Sequence, residues 1–151
     1  MKLLWQRLDG RDGHELGRQI LAQLVDHMPE IAVTERGKPY FVTGDLHFSI
    51  SHTKNHVFCA VSHRNIGIDA EECDRPVRES LVKKVLSPSE YARWEQSSDR
   101  QGAFLRLWVL KESYAKLTGR GLGDYLYETD FDPEDDRVQI IDGCYFALME
   151  A

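Results

Sequence analysis

The 151 residues contain no C-x-x-C pair, and the three cysteines, Cys59, Cys73 and Cys144, are an odd number set far apart. That excludes a disulfide framework and fits a reducing cytosol. A long apolar run is also missing. The first twenty residues, "MKLLWQRLDGRDGHELGRQI", carry charges throughout, so neither a signal peptide nor a transmembrane span is expected and the expected location is the cytoplasm. There is no excess of basic residues: 19 Lys and Arg stand against 25 Asp and Glu, a net charge of -6. This argues against a general nucleic-acid or membrane-surface binder, so neither is expected as a partner. No Walker loop, GxGxxG or kinase catalytic loop is present, which leaves ATP without an evident site. Low-complexity segments and obvious repeats are absent too, and the length is that of one domain.

What is present is an α+β pattern. "MKLLWQRL" reads as a strand. "DGHELGRQILAQLVDHM" follows with Leu16, Ile20, Leu21, Leu24, Val25 and Met28 at helical spacing behind Asp12 and Glu15 as a capping box. After the turn-like "ERGKPYF" come three short β segments, "HFSIS", "HVFCAVS" and "IGIDAE". "PVRESLVKKVL" is helical, "SPSE" restarts a helix behind Ser87, and "AFLRLWVLKESYAKLTGRG" is the strongest helix, stopped by Gly119 and Gly121. "DRVQIIDGCYFALME" predicts two strands joined by Asp142-Gly143. Element order alone divides the chain into two similar halves meeting near Gly67.

The segment "HTKNHVFCAVSH", His52 to His63, has three histidines and a cysteine in twelve residues, which raises the question of zinc. Alternation along a strand sends His56, Phe58 and Ala60 to one face and Val57, Cys59, Val61 and His63 to the other. His56 and Cys59 therefore cannot share an ion within the strand, and Cys59 reads as a small core residue. The expectation is scaffold and no zinc, with His52 the exception that could face a cleft.

Chemistry is expected just downstream. In "GIDAE", Asp69 and Glu71 are two apart and share a strand face, either as a solvated edge or as oxygen ligands of a hard cation, with Mg²⁺ the expected ion. In "LWVLKESYAKLTGRGL", Glu112 and Lys116 are i,i+4, an ordinary surface pair on an ordinary helix. Here Leu105, Leu107, Trp108, Leu110, Tyr114 and Leu117 make the helix apolar, so Lys111, Glu112 and Lys116 need partners. A third carboxylate for the same cation, flanked by lysines for phosphate, meets that need. "RGKPYF" presents Arg36 and Lys38 on a turn set by Gly37 and Pro39, which in isolation is an exposed turn. Residue types and spacing reach Mg²⁺ and a phosphate-bearing substrate, and no further.

"RGKPYF", "HFSISHT", "IGIDAE" and "WVLKESYAKLTGRGL", in that order, resemble the signature blocks of the 4'-phosphopantetheinyl transferases, in particular the branch that activates surfactin-type peptide synthetases. The resembling region runs from about Arg36 to Leu122. The resemblance implies a 4'-phosphopantetheinyl transferase-like fold with two pseudo-symmetric strand-helix-strand halves, 1–66 and 67–151, and the site between them. It implies transfer of the phosphopantetheine arm of coenzyme A to a serine of an apo acyl or peptidyl carrier protein, releasing adenosine 3',5'-bisphosphate, in fatty acid, polyketide or non-ribosomal peptide biosynthesis. By position, Asp69, Glu71 and Glu112 match the metal-binding carboxylates. Lys38 and His52, with Ser51 beside them and Arg36 on the same turn, match coenzyme A phosphate contacts. Lys116 matches the lysine that steadies the pyrophosphate, Lys111 the lysine beside it in the motif, and Glu112 is also a candidate for activating the serine. The chain is shorter than the typical two-halved enzyme. The basic contacts to the adenosine end have no clear match, with Arg11 and Arg18 as substitutes. One chain supplying both halves permits a monomer and leaves a homo-oligomer open. The competing expectation is a non-catalytic relative that binds coenzyme A or a carrier protein. A phosphohydrolase lacks the second carboxylate cluster it would need.

Overall fold

The computed structural model describes residues 1–121, 123 and 127–151. Its elements are β1 (Lys2–Arg7), α1 (Gly13–Leu24), β2 (Ile31–Val33), β3 (Pro39–Phe41), β4 (His47–His52), β5 (His56–Ser62), β6 (Ile66–Glu72), α2 (Glu79–Val85), α3 (Pro88–Gln96), α4 (Arg100–Thr118), β7 (Val138–Ile141) and β8 (Cys144–Glu150). Two three-stranded antiparallel sheets, ordered β1-β5-β4 and β6-β8-β7, accompany a two-stranded β2-β3 ribbon. In each larger sheet the first strand pairs with the last, and the last forms a hairpin with the one before it. Asp142 and Gly143, at φ 47 and φ 77, make the turn of the second hairpin.

Alternation on β5 decides the layering. Val57, Cys59 and Val61 face Leu16, Ile20 and Leu21 of α1, while Phe58 and Ala60 face the other sheet's Ile66, Ile68, Ala70 and Phe146. Cys59 is fully buried in that first cluster, as its spacing predicts. Phe58 stacks on Phe146 with centroids 5.1 Å apart. Each such fully buried side chain contributes about 1.5–3 kcal/mol. The outer face of the second sheet is covered by α4, with Val82, Trp94, Leu107 and Leu110 in one cluster with Ala147 and Met149. The order is thus helix, sheet, sheet, helix.

Helix termini follow their caps. Asp12 accepts from the Glu15 amide to open α1, which ends at Leu24, so Val25 and Met28 lie beyond it. Ser87 and Glu90 form a reciprocal capping box before Pro88. α4 stops at Gly119, whose φ of 70 is the left-handed cap. Leu122, the end of the resembling region, lies outside the described residues. The turn-like stretch after α1 contains the short β2-β3 pairing in addition to the turn.

The sheets meet at β4 and β6 through serine hydroxyls. Ser49 Oγ accepts from the Ile68 amide at 3.0 Å and Ser51 Oγ from the Ala70 amide at 3.1 Å. Alternation in "SIS" places both hydroxyls on one face of β4, where they satisfy amides that no neighbouring strand reaches. No helix among the described residues is long and apolar enough to cross a membrane.

Candidate active site

Asp69 and Glu71 project from β6 toward α4, whose residues Trp108, Glu112 and Lys116, each four apart, lie along one helix face. Trp108 Nε1 donates to Glu71 at 3.1 Å, and Lys116 Nζ donates to Asp69 Oδ1 at 3.3 Å and to the Ile50 carbonyl at 3.1 Å. Ser51 Oγ also donates to Asp69 Oδ1, at 3.1 Å. The helix lies close enough to make these contacts because β6 carries Gly67 beneath it.

The electrostatics are those of an acidic centre short of positive charge. Asp69 is buried and, among the described residues, its Oδ2 has no hydrogen-bond partner. Burial pushes the Asp69 carboxyl up, against the pull of Lys116 and Ser51. Glu71 is raised by burial, although Arg75 and Trp108 hold its carboxylate. Glu112, without a hydrogen bond or ion pair among the described residues, is pushed up to about 7, first by burial and then by Asp69. These carboxylates do not close into a compact three-ligand cluster: Glu71 is turned to Arg75, and Asp69 to Lys116 and Ser51. Mg²⁺ keeps several waters and needs only one or two direct carboxylates. The orphaned Asp69 oxygen and Glu112, which no described residue pairs by hydrogen bond or ion pair, therefore fit a hard cation.

Beside this centre opens a cavity of about 230 Å³, lined by Arg36, Lys38, Ile50, Glu112, Lys116 and Gly119 among others. Lys38 Nζ donates to the Leu117 carbonyl at the C-terminal end of α4 and to Asn65 Oδ1, both at 3.1 Å, and burial lowers its pKa. Arg36 donates to the Arg120 carbonyl at 2.7 Å. The lining thus carries the cationic Arg36 and Lys38 together with Glu112 and Lys116.

Two residues expected here are placed elsewhere. Lys111 is buried, with its ammonium on Glu90 and Thr129 and not on the cavity. It packs α4 against α3, and burial lowers its pKa against the pull of Glu90. His52 is exposed and packs on α1, where a Cβ on Gly13 would meet its ring at 3.3 Å. Ser51 is buried and acts on Asp69 and the β6 backbone. Arg11 bonds the Leu8 and Arg7 carbonyls, so it serves the first turn. Sequence reasoning missed Trp108 and Arg75 as partners of Glu71. The first lies one helical turn before Glu112 and the second four residues after Glu71, so helical spacing and charge order were the available signals.

Residues 65–146, more than half of the chain and the whole stretch from the start of β6 into β8, match the 4'-phosphopantetheinyl transferase superfamily. The chain is 40% identical over 93 residues to a 4'-phosphopantetheinyl transferase of Bacillus subtilis, covering 60% of this chain and 41% of that protein. It is 42% identical over 96 residues to the 4'-phosphopantetheinyl transferase HetI of Nostoc sp., covering 58% and 40%. It is 33% identical over 108 residues to the 4'-phosphopantetheinyl transferase AcpT of Salmonella typhimurium, covering 68% and 56%. The chain therefore spans about two fifths of the first two relatives and just over half of the third. The matched segment is the one that carries Asp69, Glu71, Glu112 and Lys116, and by it this chain belongs to the 4'-phosphopantetheinyl transferase superfamily.

Proposed function

We propose that this chain transfers the 4'-phosphopantetheine arm of coenzyme A to a serine of an apo acyl or peptidyl carrier protein, in a Mg²⁺-dependent reaction that releases adenosine 3',5'-bisphosphate. The observation that carries the reading is the buried Asp69 Oδ2, without a partner among the described residues, beside the Glu112 and Lys116 that line a cavity together with Arg36 and Lys38. Relatives named 4'-phosphopantetheinyl transferase support the same chemistry.

In this reading Asp69 and Glu112, with Glu71 released from Arg75, hold Mg²⁺. When bound, the ion neutralises the pyrophosphate of coenzyme A and the charge that develops on the leaving phosphate. The remaining work belongs to the side chains. Lys38 and Arg36 receive coenzyme A phosphates and Lys116 faces the pyrophosphate. The serine Oγ attacks the phosphorus bearing the pantetheine arm, the bond to the bisphosphate breaks, and the serine proton passes to Glu112, directly or through water.

Residues 1–151 form one domain in this reading, and the two similarly ordered sheets are its pseudo-symmetric halves with the site between them. The expected location is the cytoplasm, and one chain that supplies both halves permits a monomer and leaves a homo-oligomer open. Carrier proteins of this kind are acidic, so docking would use the cationic rim around Arg36 and Lys38, not the net-negative body.

The test is intact-protein mass spectrometry of apo carrier proteins incubated with this chain, coenzyme A and Mg²⁺. A gain of one phosphopantetheine, abolished by EDTA and by Asp69→Asn, is expected. Coenzyme A binding with no gain on any carrier would replace this reading with that of a non-catalytic binding relative.

A further inference from the structure

Three potential ligand atoms from distant parts of the chain converge between the two sheets. His56 opens β5, Glu72 closes β6 and Cys144 opens β8, and all three side chains lie on the inner faces, at one end of the interface. His56 Nδ1 is 3.0 Å from Glu72 Oε2 and 3.3 Å from Cys144 Sγ, and Cys144 Sγ is 2.7 Å from Glu72 Oε2. Among the described residues this is the one group of three histidine, cysteine or acidic ligand atoms gathered within 4.8 Å. His56 and Cys59, neighbours in sequence, stand on opposite faces; His56 instead meets residues 16 and 88 positions away.

The atoms behind the cluster orient it as a ligand shell. His56 Nε2 is 2.8 Å from Asp142 Oδ2, and Arg7 holds that carboxylate through Nε at 2.8 Å and a second nitrogen at 2.9 Å. A carboxylate on the outer nitrogen fixes the ring and turns Nδ1 inward, the arrangement that supports metal-bound histidines. Glu72 is held likewise, with Asn55 Nδ2 donating to Oε1 at 2.8 Å and Thr53 Oγ1 to Oε2 at 2.9 Å. His56 and Glu72 are under 10% exposed and Cys144 is fully buried. An open cleft of about 520 Å³, lined by Arg7, Asp9, Lys54, Asn55, His56 and Asp142, gives a route in.

We propose that His56, Glu72 and Cys144 bind one Zn²⁺ that staples the two sheets together, separate from the Mg²⁺ centre on the other face of β6. The donor set selects the ion: one imidazole, one thiolate and one carboxylate suit zinc and reject Mg²⁺. Charge closes as well, because a divalent ion with one thiolate, one carboxylate and a neutral imidazole leaves no net charge in a buried place. Ligand bonds of about 2.0–2.3 Å in a tetrahedron require separations of roughly 3.4–3.6 Å, so the three pairs open by about 0.3–0.9 Å to admit it, the Cys144–Glu72 pair most. Binding releases the Cys144 thiol proton to solvent and leaves the fourth position to water.

The test uses the full chain, stripped with EDTA and desalted. Returned Zn²⁺ should be retained at one ion per chain by elemental mass spectrometry and raise the melting temperature. Co²⁺ in its place should give a thiolate-to-cobalt charge-transfer band. Oxygen ligands at the Mg²⁺ centre cannot produce that band, so Glu112→Gln should keep it while losing phosphopantetheine transfer. The band should survive Cys59→Ser and Cys73→Ser and vanish in Cys144→Ser. If Cys144→Ser does not fold, the folded wild-type chain still decides, through the band and its survival in the other two serine variants. No retained zinc and no band in folded wild-type protein, or a band that persists in Cys144→Ser, overturns the proposal.

Discussion

Gly67 lies directly beneath the backbone of Ser113: a Cβ at Gly67 would stand 2.1 Å from the Ser113 carbonyl oxygen and 2.5 Å from the Leu117 amide nitrogen. Both obstacles are main chain, so relief requires moving the whole helix. The missing side chain sets the distance between the strand that carries Asp69 and Glu71 and the helix that carries Glu112 and Lys116.

Gly67→Ala should therefore destabilise the fold by about 2 kcal/mol or more, the cost of overpacking a site that cannot relax. It should also reduce phosphopantetheine transfer in the fraction that remains folded, because it moves the two halves of the acidic centre apart. Denaturant unfolding and a transfer assay under folding conditions check both. A stable, fully active variant would show that α4 is free to shift without consequence.

The ion pair of Lys111 and Glu90 is fully buried, with Thr129 beside it. Lys111→Met removes one charge and leaves the other in the core, which costs about 3–5 kcal/mol. Lys111→Met with Glu90→Gln should recover part of that loss, since both charges are then gone and a side-chain oxygen still accepts from the Ser87 amide. Chemical denaturation of the two variants measures it. A single variant as stable as the parent would show that the pair contributes nothing.

Glu112 carries a pH signature for the protein without metal. Its folded carboxyl is raised from 4.5 to about 7. A raised acid contributes stability that is complete below the unfolded value and lost as pH climbs through the folded one. In EDTA, stability should fall between about pH 5 and about pH 8, with Asp69 and Glu71, also raised, acting in the same direction. Mg²⁺ should flatten that fall by favouring the ionised carboxylates, and its stabilising effect should grow with pH. Melting curves across this range, with and without Mg²⁺, read both slopes; a flat profile in EDTA would contradict the burial of these groups.

Much of the fold was legible because local rules carry it. Period-two alternation separated Phe58 from Cys59 before any partner sheet was known, and Ser87 with Glu90 marked a helix start that the capping hydrogen bonds match. Asp142-Gly143 marked the last hairpin. The acid pair on β6 was also local, since Asp69 and Glu71 must share a face. Less legible was the β2-β3 ribbon, whose three-residue strands are too short to show a period. Lys111 was expected near phosphate because it flanks Glu112 on an apolar helix and matches a lysine of the motif, while the turn of the helix sends its side chain to Glu90 on α3. His52 shares its strand face with Phe48 and Ile50, which line the cavity, but it stands at the end of β4, where its ring packs against Gly13 of α1.

The sequence by itself determined most of the elements, their caps and the faces on which the carboxylates stand, because those depend on residues within a few positions of one another. Only the tertiary structure decided which faces meet. It sets Trp108, Glu112 and Lys116 against Asp69 and Glu71, buries Lys111 on Glu90, and gathers His56, Glu72 and Cys144 at one end of the sheet interface. Those meetings follow from how the strands close into two sheets and how near α4 approaches Gly67. Such contacts join positions tens of residues apart, where no local periodicity records them.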